Sequence, residues 1–139
     1  MILVISDYHG REQKVLDLID RYVPNYFLCC GDGQSKEEFY LDNNIISVGG
    51  NCDVANLDLV KIVEIEGYRI LMTHGHMYQV YLNVDRLYYL AKENNCNLVL
   101  YGHTHIQKLE EYDGITFLNP GAILDDNFAL ISEGKFILK

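Results

Sequence analysis

Short apolar runs, each ended at once by a glycine-containing polar loop, restrict the fold of this chain more than any other feature. Ile2 to Ile5 stops at Ser6-Asp7-Tyr8-His9-Gly10, and Tyr26 to Cys30 stops at Gly31-Asp32-Gly33. Ile45 to Val48 stops at Gly49-Gly50-Asn51-Cys52-Asp53, Tyr68 to Thr73 at His74-Gly75-His76, and Leu98 to Tyr101 at Gly102-His103-Thr104-His105. Runs this short, β-branched and apolar on both faces suit strands covered on both sides. Between the first two, Val15, Leu16, Leu18, Ile19 and Tyr22 recur at helical spacing until Pro24. Ser35 is placed to cap a short helix containing Glu38, with Phe39 and Leu41 as its apolar contacts. Strand, helix, strand, helix, strand predicts parallel pairing with right-handed crossovers.

The second half reads differently. Leu57 to Ile65 and Tyr68 to Thr73 flank the turn Glu66-Gly67 as a hairpin. Val80, Val84, Leu87 and Ala91 mark a helix. Ile106–Tyr112, Ile115–Leu118, Phe128–Ser132 and Phe136–Leu138 complete the strands, with turns at Asp113-Gly114 and Glu133-Gly134. No repeat or linker interrupts the 139 residues, so one domain over 1–139 is expected.

Composition removes several classes. With 49% hydrophobic and 22% charged residues, the chain is neither disordered nor a disulfide-dense miniprotein. A formal charge of −9 repels phosphates at long range, so binding to a nucleic-acid backbone is disfavoured, and any phosphate chemistry needs a local reversal of sign. Cys29, Cys30, Cys52 and Cys96 form no CxxC, and neighbouring cysteines in an apolar run behave as small core residues. A reducing, cytoplasmic setting is expected, with no signal peptide and no membrane span. Oligomeric state stays open.

All five histidines lie in the strand-end loops, together with Asp7, Asp32 and Asn51. In open α/β sheets the carboxyl ends of strands gather at one edge, where ligands bind. Asp7, His9, Asp32, Asn51, His74, His103 and His105 offer oxygen and imidazole donors with no obligatory thiolate. That set suits Mn²⁺, Fe²⁺ or Zn²⁺ in mixed coordination. Seven donors are too many for one tetrahedral ion and enough for two ions that share a carboxylate.

The ordered set Asp-x-His, Gly-Asp, Gly-Asn-x-Asp, Thr-His-Gly-His and Gly-His-Thr-His, followed by Asn119-Pro120-Gly121, resembles the calcineurin-like metallophosphoesterases. Within that superfamily it is similar to the small bacterial and archaeal phosphodiesterase branch, to which the retromer-subunit fold is related. The resemblance runs from Met1 to about Gly121. It implies a two-sheet α/β sandwich flanked by helices. It also implies two divalent metal ions, Mn²⁺ first, with Zn²⁺, Fe²⁺ or Mg²⁺ as alternatives. Asp7, His9 and His105 would hold the first ion; Asn51, His74 and His103 would hold the second; Asp32 would bridge them.

The activity this implies is phosphodiester hydrolysis by attack of a metal-bridging hydroxide on a small phosphate-ester substrate. Asp32, Asn51 and His74 would serve catalysis. Cys52 stands where many members carry the histidine that protonates the leaving alcohol, and a thiol can donate that proton more weakly. Asp53 would orient the loop or a ligand. His76 either lines the pocket, touching a phosphate oxygen, or sits in solvent; Arg11 reads as a solvated helix residue, with substrate contact as the alternative. Relatives have a longer connection after Gly121, so a more open site and broad specificity are expected. A phosphomonoesterase with the same metals, or a non-catalytic scaffold of the same fold, is the alternative.

Overall fold

Alternation of side chains along each short strand decides the architecture. The computed structural model describes residues 1–139. Strand β1 (Ile2–Ile5) pairs in parallel with β2 (Tyr26–Cys29), which pairs in parallel with β3 (Ile45–Ser47). Helix α1 (Glu12–Tyr22) connects the first pair and α2 (Glu37–Asp42) the second. The last hairpin, β9 (Ala129–Ser132) and β10 (Lys135–Leu138), joins the same sheet antiparallel to β1, giving the order β10-β9-β1-β2-β3.

The second sheet holds β4 (Val60–Ile65), β5 (Tyr68–Thr73), β6 (Leu98–Leu100), β7 (Lys108–Tyr112) and β8 (Ile115–Asn119), in the order β4-β5-β6-β8-β7. Its strands β5, β6 and β8 are parallel, and α3 (Asp85–Glu93) connects β5 to β6. Both sheets are therefore mixed, as expected for an α/β sandwich. No helix is long and apolar enough to cross a membrane.

Three apolar layers follow from the period of two. Ile2, Val4, Leu28 and Cys30 of the first sheet meet Ile70, Met72, Leu98 and Leu100 of the second in the central core. Leu3, Ile5, Phe27 and Cys29 point the other way, toward Val15 of α1 and Tyr40 of α2. Leu71, Val99 and Phe117 do the same toward Leu87 and Ala91 of α3. The neighbours Cys29 and Cys30 thus face opposite cores, which is why adjacent thiols stay free.

Four expectations need correction. Ser35 does not cap α2: the cap position is Lys36, without a side-chain bond. Ser35 Oγ instead donates to Glu12 Oε2 at 2.5 Å and accepts from Tyr8 Oη at 2.7 Å, so a buried hydroxyl relay outcompetes the cap. Leu41 is exposed rather than an apolar contact. The third helix begins at Asp85, not Val80; Val80 and Val84 are buried in turns, so apolar spacing reported burial without helix. The β4 and β7 strands start at Val60 and Lys108, later than Leu57 and Ile106, because the preceding residues have no strand partner.

Leu100 is fully buried in the central layer. Leu100→Ala should cost about 2–5 kcal/mol of unfolding free energy. A urea titration checks this: the midpoint should fall while the slope is retained.

Candidate metal centre

Asp7 follows β1 and is fully buried, although it is a carboxylate. Its Oδ2 accepts the Ser6 hydroxyl at 2.5 Å and the His103 backbone N–H at 3.2 Å. Its Oδ1 is buried and has no hydrogen-bond partner. Three imidazole Nε2 atoms surround that oxygen: His105 at 3.2 Å, His9 at 3.7 Å and His74 at 3.8 Å. A buried anion facing only lone-pair donors is costly unless a cation sits among them.

Second contacts choose the tautomers. The His74 Nδ1–H donates to the Cys30 carbonyl at 2.8 Å, which turns Nε2 toward Asp32 Oδ2 at 3.1 Å. The His9 Nδ1–H donates to Gln34 Oε1 at 2.8 Å, leaving Nε2 buried and unpartnered. Histidine ligands are typically oriented by such an outer bond on the other ring nitrogen.

The donor atoms form two adjoining groups. Asp7, His9 and His105 each bring one ligand atom within 4.8 Å of the others, and so do Asp32, His74 and His103. Each group is close enough for its donors to be drawn onto a single cation. His103 Nδ1 lies 3.3 Å from His74 Nε2, and His74 lies near Asp7 as well as Asp32, so the groups adjoin. Oxygen and imidazole donors together, with an orphaned carboxylate oxygen between them, fit a divalent metal.

The sequence-derived candidates do not all converge equally. Six of the seven donor residues lie in the two groups. Asn51 is exposed on the neighbouring loop, and its amide donates to Cys52 Sγ at 3.6 Å. Cys52 is exposed, and its backbone N–H donates to Asp32 Oδ1 at 2.8 Å. Asp53 accepts the N–H of Gly50 at 2.7 Å and of Asp32 at 2.8 Å through Oδ2, and of Gln34 at 2.8 Å through Oδ1, tying two loops together. His76 is half-buried, its ring 5.5 Å from that of His74, and its Nδ1 is buried without a partner. Arg11 is exposed at the start of α1 and makes no side-chain cap.

Several residues beyond the candidate donors hold the site together; Asn119 belongs to a quoted motif, while Gln34 and Tyr81 gave no signal in the sequence. Gln34, Ser6 and the Cys30 carbonyl orient donors but belong to no motif. Tyr81 lies edge-on to His103, 4.9 Å between centroids, and its hydroxyl donates to the His103 carbonyl. Asn119 donates to the Gly102 carbonyl and to Thr104 Oγ1, holding the loop that carries His103 and His105. Asp7, His9, Asp32, His103 and His105 all have positive φ, between 42° and 70°. Such backbone costs about 1–3 kcal/mol per residue and collects at functional sites.

Electrostatics agree with the donor geometry. Burial works against the Asp32 carboxylate, but the His74 hydrogen bond, the Cys52 N–H and the charges of His74 and His9 hold its pKa down to about 2. Burial likewise opposes the His74 imidazolium, yet the Asp32 hydrogen bond and the charges of Asp7 and Asp32 raise its pKa above 6.5. Burial, then the charge of His74, lowers His76 and His103, so both stay neutral.

Two predictions follow from these contacts. A Cβ on Gly50 would overlap the Asp32 carboxylate, so Gly50→Ala should retain the fold but lose metal, read by circular dichroism and by metal content after dialysis. The second concerns metal-free protein. A carboxyl lowered by folding stabilises above its ordinary 3.8 and loses that contribution as pH falls through about 2; an imidazole raised by folding stabilises below 6.5 and loses it as pH rises through the folded value. Urea midpoints should therefore fall on both sides, and His74→Gln should remove the fall on the alkaline side.

Residues 1–132 match the family model described as the calcineurin-like phosphoesterase superfamily domain. The chain is 32% identical over 129 residues to a probable metallophosphoesterase of Mycoplasma pneumoniae, covering 88% of this chain and 78% of that one. A solved structure from Streptococcus pneumoniae, a conserved uncharacterized protein described as a predicted phosphoesterase, is 34% identical with a TM-score of 0.81. That similarity spans 88% of this chain and 72% of the other. Vacuolar protein sorting 29 of Cryptosporidium parvum shares the fold at 20% identity, with a TM-score of 0.76 over 99% of this chain and 94% of the other. Family model, sequence relatives and structural neighbours agree: the chain belongs to the calcineurin-like phosphoesterases.

Proposed function

We propose that this chain is a dinuclear metal-dependent phosphodiesterase of broad specificity. The observation that carries the reading is the pair of adjoining donor groups around the orphaned Asp7 Oδ1. Asp7, His9 and His105 would hold one ion, Asn51, His74 and His103 the other, and Asp32 would bridge, with Mn²⁺ the first candidate. Bound divalent ions supply a water activated at neutral pH and positive charge on the phosphoryl oxygens.

The chain's own residues do the rest. Asp32 stays ionised at neutral pH because its carboxyl is held down to about 2, so it is always ready as a ligand. His74 and His9 are held with Nε2 inward by Cys30 and Gln34. The two donor groups contain only two carboxylates, Asp7 and Asp32, and Asp53 is taken up by backbone N–H groups, so two ions would leave the centre positive and draw in a phosphate despite the chain's charge of −9.

No lysine or arginine pairs with Asp7 or Asp32; the ion partners there are histidines. That favours a singly charged diester over a monoester, whose second phosphate charge would want a further cation. In the metal-free chain, burial and the charge and hydrogen bond of Asp32, with the charges of Asp53 and Asp7, raise the Cys52 pKa, which favours a proton donor over a nucleophile at this position. Four unpaired thiols support a cytoplasmic setting.

A non-catalytic scaffold has the same fold but no need for the donors, so the convergence of six of the seven in two adjoining groups favours the enzyme. A metal-by-substrate panel tests this. Metal-stripped protein reloaded with Mn²⁺, Mg²⁺, Zn²⁺ or Fe²⁺ should hydrolyse aryl phosphodiesters faster than the matching monoesters. Asp32→Asn should lose bound metal and at least about 10²-fold in rate. Full metal loading without hydrolysis of any ester would instead favour the scaffold.

A further inference from the structure

A third donor group overlaps the first two. One ligand atom each of His9, Asp32 and Cys52 lies within 4.8 Å of the others. The His9 Nδ1–H is committed to Gln34, so the free donor is Nε2, which is buried and unpartnered. Asp7 Oδ1, fully buried and also unpartnered, stands 3.7 Å from that Nε2, so the unpartnered oxygen that marks the metal centre borders this corner. Cys52 is anchored there by its N–H to Asp32 Oδ1, and Asn51 Nδ2 contacts its sulfur at 3.6 Å. The sulfur thus lies within 4.8 Å of a donor atom of His9 and of Asp32, on the loop whose backbone bonds Asp32 Oδ1.

We propose that Cys52 is a conditional metal ligand that sorts ions by softness: its sulfur joins His9 and Asp32 around a thiophilic ion such as Zn²⁺ or Cd²⁺, and stays out of the shell of Mn²⁺ or Mg²⁺. This rests on the metal-centre reading above. The physical basis is that thiolate binds soft and borderline ions and contributes little to hard ones, which take oxygen. On capture the S–H bond breaks, its proton leaves to solvent, and the sulfur lone pair forms the bond to the ion; nothing is oxidised or reduced. A captured sulfur can no longer donate a proton to a leaving group. The choice of ion thereby sets whether the centre keeps its proton donor, so thiophilic ions bind more tightly and serve hydrolysis less well.

The other three cysteines are buried, so thiol chemistry on the folded chain reports Cys52 alone. Full-length metal-free protein and Cys52→Ser would be titrated with Cd²⁺ and, separately, Mn²⁺. Three readouts are followed: the ultraviolet sulfur-to-metal charge-transfer band, the affinity of each ion, and the alkylation rate of the exposed thiol. Cd²⁺ should produce the band and slow alkylation in the wild type, and produce no band in Cys52→Ser. Cd²⁺ affinity should fall about 10- to 100-fold in that variant, while Mn²⁺ affinity is unchanged. Tight Cd²⁺ binding with no band and undiminished alkylation overturns the inference and leaves the metal centre standing, as does an equal loss of affinity for both ions. Failure of both ions to bind the wild type overturns the inference and the metal centre together.

Discussion

Two carboxylates are buried at the ends of β1 and β2 with hardly any positive charge to meet them. Asp7 is fully buried and Asp32 nearly so, and histidine rings are their only ion partners. Left alone, such an arrangement is among the costliest a small fold can hold. Much of the surrounding structure is understandable as a response to it. Ser6 and the His103 N–H both meet Asp7 Oδ2 and the Cys52 N–H meets Asp32 Oδ1, so two of the four carboxylate oxygens have donors; Asp32 Oδ2 faces His74, and Asp7 Oδ1 is left among three imidazoles.

The loops that meet around these carboxylates are themselves strained, and the strain is held by specific bonds. Asp32 has φ of 56°, and its N–H is fastened to Asp53; His103 has φ of 70°, and its N–H is fastened to Asp7. Gly50 and Gly102 let neighbouring loops pass where a Cβ would strike Asp32 in one case and Ser6 in the other. The sandwich beneath supplies the rigidity: the central core locks both sheets together, so loops from β1, β2 and β3 face those from β5 and β6. A centre built from five loops on two sheets is only as well defined as that packing.

The family relationship places the fold among enzymes and among proteins such as vacuolar protein sorting 29. In this chain six of the seven candidate donors converge in two adjoining groups. The departure at Cys52 shapes the chemistry open to them, because a thiol is at once a weaker proton donor than an imidazole and a better partner for soft metals.

Much of this was legible in the residues. Short apolar runs ending in glycine loops give buried strands, because only a strand can bury both faces within four residues. Histidine, aspartate and glycine at those ends mark the donors, because loops at carboxyl ends of parallel strands share an edge. Helix starts and caps were less legible: Val80 and Val84 carry helical spacing but are buried in turns, and Ser35 chose Glu12 and Tyr8 over its own helix. Local pattern determined which residues are strands and which are donors. Only tertiary structure decided that Asp7 keeps one oxygen unpartnered among three imidazoles, that Gln34 and Cys30 select the ring nitrogens, and that Cys52 reaches His9 and Asp32. Those facts depend on side chains up to about a hundred positions apart, brought together by two sheets packing face to face, and no local periodicity encodes such a meeting.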